Sequence, residues 1–459
     1  MIKIQNDINP ADLKAGIEKL WDVSAPKIFS IAKTYDRAQG SPVYTVNGRY
    51  TTRGWTEWTQ GFEYGSAILQ YDATGDKAAL KYGRDSTLKL MAPHLTHMGV
   101  HDHGFNNVST YGNLRRLMLE GKIERDEWEL NFHELALKLS GAVQARRWTR
   151  INGGGGYIYS FNGPHSLFAD TIRSLRALAM GYRLGHALME EGDANISLLD
   201  RLVRHARTTA RFSVYYGEGR DAYDVRGRTT HEAIFNLNDG NFRCPNSQQG
   251  FSPFTTWTRG LSWILCGYPE ELEFLDTLED QELEPCGGRA EIEGFMRKAA
   301  EAVADFFIEH TPADGIPYWD TGAPQLHKLG DYLDKPADPY NDHEPVDSTA
   351  AAISAQGYLR LGRYLEKKGE TEKGRRYWQA GLTIARTLFA EPYLSLDTNH
   401  QGLLLHSIYH RPNGWDHIPE GGRIPNGESS MWGDYHIREL ALYLQRVINN
   451  EPYYTFFGE

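Results

Sequence analysis

Apolar residues recur along most of this chain at three- and four-residue spacing. Leu198, Leu199, Leu202, Val203, Ala206, Ala210 and Phe212 mark one stripe. Phe295, Ala299, Val303, Phe306 and Phe307 mark a second, and Tyr435, Ile437, Leu440, Ala441, Leu444 and Val447 the last. That spacing puts them on one face of an α-helix. About twelve such segments can be read, with almost no sustained period-two alternation, so the pattern predicts an all-α fold.

The links between these segments alternate in length. Thr74-Gly75-Asp76, Gly121-Lys122, Gly192-Asp193 and Gly369-Glu370 read as tight turns between antiparallel helices. The glycine takes the left-handed position after one helix, and the acid that often follows suits the start of the next. Tyr268-Pro269-Glu270, with a spacer to Gly287, reads as a fifth. The other links are long: roughly 36–57, 93–103, 148–169, 216–256, 310–346 and 391–431. Alternation of this kind gathers the short turns at one end and the long loops at the other. Six hairpins, with a first helix from about Ala11 to Tyr35 closing on a last from about Trp432 to Asn449, predict an (α/α)6 barrel occupying residues 1–459 as one domain. An open helical array would show more even repeats. Function is expected in the long loops. Seven of the eleven tryptophans (Trp55, Trp58, Trp148, Trp257, Trp319, Trp415, Trp432) fall in those loops or at the helix starts after them. Indole faces at a barrel mouth suit the apolar face of a sugar ring.

Composition narrows the partners. A net charge of −11 argues against nucleic acid, while leaving room for a locally basic pocket. The N-terminus carries no apolar signal-peptide core, and no apolar run is long enough to span a bilayer. Cys244, Cys266 and Cys286 are odd in number and lack metal-type spacing. These features lead to the expectation of a cytoplasmic enzyme with neither nucleic-acid nor membrane partner, with a homo-oligomer left open.

Two aspartates stand where long loops feed into helices: Asp102 in His101-Asp102-His103-Gly104-Phe105, and Asp170 in Phe168-Ala169-Asp170-Thr171. Asp170 reads either as a helix cap or as a general acid held protonated by apolar surroundings near a second carboxylate. His101 and His103, two apart, point to opposite sides and have no matching ligand cluster, so no metal is expected. Arg259, near Trp257 and Trp263, needs an anionic partner, either a structural aspartate or a substrate carboxylate. His231 and Gln249 are placed to hydrogen-bond sugar hydroxyls. Asp347, Trp432 and Asp434 read as capping and packing residues. The Gly153–Gly156 run lacks the Lys-Ser/Thr of a phosphate loop and reads as a flexible rim of the cleft.

Taken together these blocks resemble glycoside hydrolase family 88, the unsaturated glucuronyl hydrolases. The matching pieces run from about Trp58 onward: Trp58–Phe62, His101–Phe105, the Asp170 helix, His231, Gln249-Gly250, Thr256–Gly260 with Trp263, Tyr318–Asp320, Asp347-Ser348, Tyr409-His410 and Met431–Tyr435. The resemblance implies an (α/α)6 barrel, no cofactor, and a substrate that is an oligosaccharide ending in a 4,5-unsaturated uronic acid. It makes Asp170 the general acid/base and Asp102 the second essential carboxylate. It lines the sugar subsite with His101, His231, Gln249, Trp257, Arg259 and Trp263, bordered by Trp58 and Tyr409. The chain departs from the family at Phe161-Asn162-Gly163-Pro164, where a tryptophan usually leads, at Phe251–Phe254, and at 269–290, which reads as an insertion. The nearest rival, an unsaturated rhamnogalacturonyl hydrolase, usually has glycine where this chain has Ser262. A sugar epimerase on the same barrel would instead use paired histidines, for which His101, His231 and His410 are available. A non-catalytic glycan-binding protein would bind an oligosaccharide without consuming it.

Overall fold

The computed structural model describes residues 1–54 and 58–458. Trp55 therefore lies outside the described residues. The main helices are α1 (Lys14–Thr34), α2 (Gln60–Thr74), α3 (Lys77–Leu90), a π-helical stretch Gly104–Gly112 that runs on into α4 (Asn113–Leu119), and α5 (Glu127–Arg146). They continue as α6 (Thr171–Ser174) and α7 (Arg176–Arg183), broken at Leu175, then α8 (Leu198–Phe212), α9 (Thr258–Leu275), α10 (Arg289–His310), α11 (Ser348–Lys367), α12 (Thr371–Leu388) and α13 (Met431–Ile448). Each helix that follows a long loop packs on the next such helix: α2 on the π-helix, the π-helix on α6, α6 on α9, α9 on α11, α11 on α13, and α13 back on α2. That closes an inner ring. The helices α3, α5, α8, α10, α12 and α1 back it from outside, which makes an (α/α)6 barrel. Its main apolar core is a continuous cluster running from Ile2 to Phe457, with smaller clusters around Tyr157 and around Leu114.

The tight turns are built as the glycine-acid pattern requires in one case and otherwise in another. Gly75 ends α2 with φ 73°, and the Asp76 side chain accepts from the backbone of Ala78 and Ala79 to start α3. Gly192-Asp193 instead tips a β-hairpin, β6 (Ala187–Glu190) against β7 (Ala194–Ser197), with both residues at positive φ. Pro269 is not in a turn. It sits inside α9, which runs six residues further, to Leu275.

Short strands stiffen the long loops. β1 (Pro42–Val46) pairs with β2 (Arg49–Thr52), and β3 (Trp148–Arg150) with β4 (Gly156–Ile158). A three-stranded antiparallel sheet joins β5 (Ser166–Phe168), β8 (Glu232–Phe235) and β9 (Phe242–Asn246) in that order. The Ala169 amide bonds the His231 carbonyl at 2.9 Å, which ties the approach to Asp170 to the start of β8.

Candidate active site

Five of the long loops converge on a cavity of about 440 Å³ at the barrel mouth, within the range of small-ligand clefts. Asp102, Asp170, His101, Gln249, Trp257, Arg259, Trp263, Trp58 and Tyr409 all line it. His231 does not. Its Nδ1 accepts from the backbone amides of Gln248 and Gln249 at 3.1 and 3.2 Å, so it shapes the loop that carries those two side chains into the cavity.

Asp170 precedes α6, yet its side chain makes no capping bond there. Its Oδ1 lies 3.2 Å from His101 Nε2, and the same nitrogen is 3.7 Å from Asp102 Oδ1. One imidazole thus bridges both carboxylates, which are 7% and 8% exposed. The bridge is anchored from behind. Ser174 Oγ and Gln144 Nε2 donate to the His101 carbonyl at 2.7 and 2.9 Å, and the Gly104 amide donates to Ser174 Oγ at 3.0 Å. His103 turns away, onto the His97 carbonyl and Ser140. Among the described residues no three His, Cys, Asp or Glu side chains gather as a metal site needs.

The electrostatics of the three groups are unequal. Burial pushes Asp102 up to about 6, with the charge of Asp170 adding to it against His101 and Arg147. Burial would raise Asp170 as well, but the hydrogen bond and charge of His101 hold it below the ordinary carboxylate range. Burial would lower His101, and the two aspartates outweigh it. Asp170 is therefore the ionised member of the pair and Asp102 the one that titrates near pH 6, the reverse of the sequence expectation. The cause is the hydrogen bond to His101, which no sequence pattern displays.

Arg259 has a structural partner. Nη1 meets Asp347 Oδ2 at 2.6 Å and the Ile408 carbonyl, while Nη2 meets the Tyr409 carbonyl at 2.7 Å and Gln249 Oε1 at 3.2 Å. Its guanidinium lies 4.8 Å from the Trp257 ring and 5.2 Å from that of Trp432. Of the two partners the sequence left open, Asp347 is the one the fold supplies. Asp434 is likewise committed, accepting from Leu403 N, Leu404 N and Ser429 Oγ. Ser262 accepts from Ser354 Oγ of α11 at 2.8 Å and faces helix packing, not the cavity.

The floor is aromatic. Phe105 meets Trp58 at 5.6 Å, Trp58 stacks on Trp432 at 5.0 Å, Trp432 meets Tyr409 at 5.1 Å, and Tyr409 meets Trp415 at 5.3 Å. Trp148 and Trp319 go elsewhere, to Arg201 and Glu344. Phe161, at the position where a tryptophan was noted missing, still stands over His101 (6.2 Å, 17°). The Gly153–Gly155 run is not a rim of this cavity. It lines a separate outer one with Arg204, Arg207 and Arg211 of α8. Arg53, His97, Gln248 and His410 also line the main cavity. Arg53 and His97 lie in loops whose sequence carries no periodic or motif signal.

The same barrel recurs in known proteins. An unsaturated glucuronyl hydrolase from Bacillus sp. strain GL1 is 25% identical over 433 residues, 91% of this chain and 92% of its own. One from Formosa agariphila is 24% identical, covering 85% and 81%. An unsaturated chondroitin disaccharide hydrolase from Streptococcus pyogenes is 23% identical, covering 89% and 86%. This chain is thus similar over most of its length to unsaturated glucuronyl hydrolases. The crystal structure of the Bacillus hydrolase superposes with a TM-score of 0.69 over 97% of this chain and 99% of that one, at 21% identity. An unsaturated glucuronyl hydrolase specific for heparin gives 0.70 over 95% and 98%, also at 21%. A variant of the Streptococcus agalactiae hydrolase, solved with an unsaturated glucuronyl–sulfated N-acetylgalactosamine disaccharide, gives 0.62. No protein-family model matches the chain.

Proposed function

We infer that this protein is a glycoside hydrolase that removes a 4,5-unsaturated uronic acid from the non-reducing end of oligosaccharides left by polysaccharide lyases. The observation that carries this reading is the pair of buried carboxylates bridged by His101 beside an aromatic floor. The relatives' activity supports it.

The substrate is a vinyl ether with its double bond between C4 and C5. Its own carboxylate brings negative charge to the site, which favours keeping a proton on the hydrogen-bonded His101–Asp170 pair. The His101 proton then passes along the 3.2 Å hydrogen bond to Asp170. Asp170 delivers it to C4, and positive charge develops at C5 and the ring oxygen. Asp102, ionised above about pH 6, stabilises that charge. Asp170, again a carboxylate, takes a proton from water attacking C5. The hydrate opens at the ring oxygen, and the resulting hemiacetal collapses to release the partner sugar. One water is consumed and the proton is returned. Gln249 and Gln248 hydrogen-bond the sugar, and Trp257, Trp263 and Trp58 cover its apolar faces.

The test is ultraviolet absorbance of the protein mixed with unsaturated disaccharides from chondroitin, heparin, gellan and pectin. Loss of the conjugated-alkene band on at least one of them is the expected result. A folded protein that leaves the band unchanged on all four would remove the hydration chemistry.

A further inference from the structure

Arg53 is one part of the cavity wall that the reaction above does not use. Of the two arginines that line the cavity among the described residues, Arg259 is neutralised by Asp347. Arg53 is exposed, and no ion pair holds it among the described residues. Its Nη1 and Nη2 donate to the Thr52 and Trp415 carbonyls, both at 3.1 Å. Those carbonyls fix the guanidinium without cancelling its charge, and they use only part of its five N–H donors. The plane stands 5.7 Å from the Tyr409 ring and 5.9 Å from the Trp415 ring, so it is steered by stacking as well as by hydrogen bonds.

Its place along the cavity says what it meets. The buried carboxylates mark the closed end. Arg53, with Trp415 at 41% exposed, marks the open end, at the far side of the ladder of ring contacts that begins at Phe105. A chain end that seats its unsaturated ring beside Asp170 must lay its next sugar toward the open end. We propose that Arg53 is a specificity-determining residue that recognises an oxyanion, either a sulfate ester or a uronate carboxylate, on the leaving sugar. This rests on the proposed exo-acting site. A local cation also offsets the −11 net charge of the protein for an anionic substrate.

The experiment compares three unsaturated disaccharides: one with neutral N-acetylgalactosamine as leaving sugar, its 6-sulfate, and one with a uronate as leaving sugar. The readout is the ratio of kcat/KM for each anionic substrate to that for the neutral one. In the natural protein a charge-assisted contact of this kind gives a ratio of about ten, declining with added salt. In Arg53→Gln the ratio falls to about one, and in Arg53→Lys, which keeps the charge but not the planar fork, it is intermediate. A preference for only one anionic substrate identifies which oxyanion is read. A ratio unchanged by Arg53→Gln, or a natural protein that prefers the neutral sugar, overturns the proposal. Calorimetric dissociation constants for the same three probes read the same ratio without turnover. If binding follows the expected ratio and no probe is consumed, the hydrolase reading fails while the role of Arg53 stands. If no probe binds, both fail.

Discussion

Replacing Asp170 with asparagine keeps the shape of the side chain beside His101 and removes the carboxylate that the proposed mechanism uses to carry the proton. The loss of a positioned acid/base costs on the order of 10²–10⁴ in rate. Turnover of the preferred unsaturated disaccharide should fall by at least the lower figure, while circular dichroism and the melting midpoint stay near those of the natural protein. Near-normal turnover would take Asp170 out of the mechanism. The pH–rate profile belongs to the same three groups. Below about 6, Asp102 takes up a proton and loses its stabilising charge, so the rate falls on the acid side. On the alkaline side the rate falls as the proton shared by His101 and Asp170 is lost, and His101 is raised above its ordinary 6.5. The expected curve is a bell around neutrality, reported as properties of the coupled set. An acid limb nearer pH 4 would mean Asp102 is not the group that titrates. Arg259→Ala acts differently. It leaves buried Asp347 without its 2.6 Å partner and cuts the tie to the Ile408 and Tyr409 carbonyls. Removing one side of a buried pair costs about 3–5 kcal/mol, so urea unfolding should show a loss of that order. A stable variant with only a raised KM would restore Arg259 to direct substrate contact. The sequence displayed these side chains but not their partners. That Asp170 needs a partner is legible from its place at a loop–helix junction, whereas that the partner is His101, sixty-nine positions earlier, is a property of the closed ring.

At the scale of elements, the two aspartates keep their separation because the π-helix and α6 touch backbone to backbone. A Cβ on Gly104 would lie 2.2 Å from the Ser174 carbonyl oxygen, and one on Gly61 would lie 2.2 Å from that of Asn106. Neither contact can be relieved by turning a side chain. Gly104→Ala must push α6 away from the loop that carries His101 and Asp102. Overpacking of this kind costs about 1–3 kcal/mol, and misplacing catalytic groups by an ångström costs about 10²-fold. The expected variant is folded, with kcat lowered about a hundredfold and KM changed little. Unchanged kcat would show that the spacing is not fixed by this contact. Elements with strong helical period, such as α8 and α13, were readable because one face of each is apolar throughout. Gly75-Asp76 was readable because both residues do local work. Gly192-Asp193 has the same letters and tips a β-hairpin, since turn residues specify a reversal and not what flanks it. Pro269 misled for a related reason. Proline usually ends a helix, but the residues beyond it, Leu272, Phe274 and Leu275, are fully buried in the core and hold α9 helical past it.

The whole barrel carries ionisable groups in its interior, and their burial works in two directions. His103, His205, His231 and His436 are each lowered to about 3, chiefly by burial. A group lowered in the folded state favours folding above its unfolded value of 6.5, and that contribution is lost as pH falls from 6.5. Asp102, Asp320 and Asp416 are raised to about 6 and Glu273 to about 7, again chiefly by burial. For these the sign is opposite. Their ionisation opposes folding, so stability is regained as pH falls through 7 to 6 and on toward their unfolded values near 4. The two sets act over overlapping windows and offset one another. The ion network along the barrel axis does not join in until later. Arg173 pairs with Glu270 at 2.8 Å and with Glu439 at 2.9 Å, and burial, which would raise Glu439, is outweighed by Arg173 and Arg176, so that it titrates at about 2. A carboxylate lowered in this way keeps its stabilising effect above its ordinary 4.5 and loses it below. The histidines go on losing theirs there too, with nothing left to offset them. Urea midpoints measured at pH 7, 5.5, 4.5 and 3.5 should therefore differ little over the first three and drop sharply at the last. A midpoint that declines steadily from pH 6.5 would mean that the buried histidines outweigh the buried acids, and one that rises toward pH 4.5 would mean the reverse.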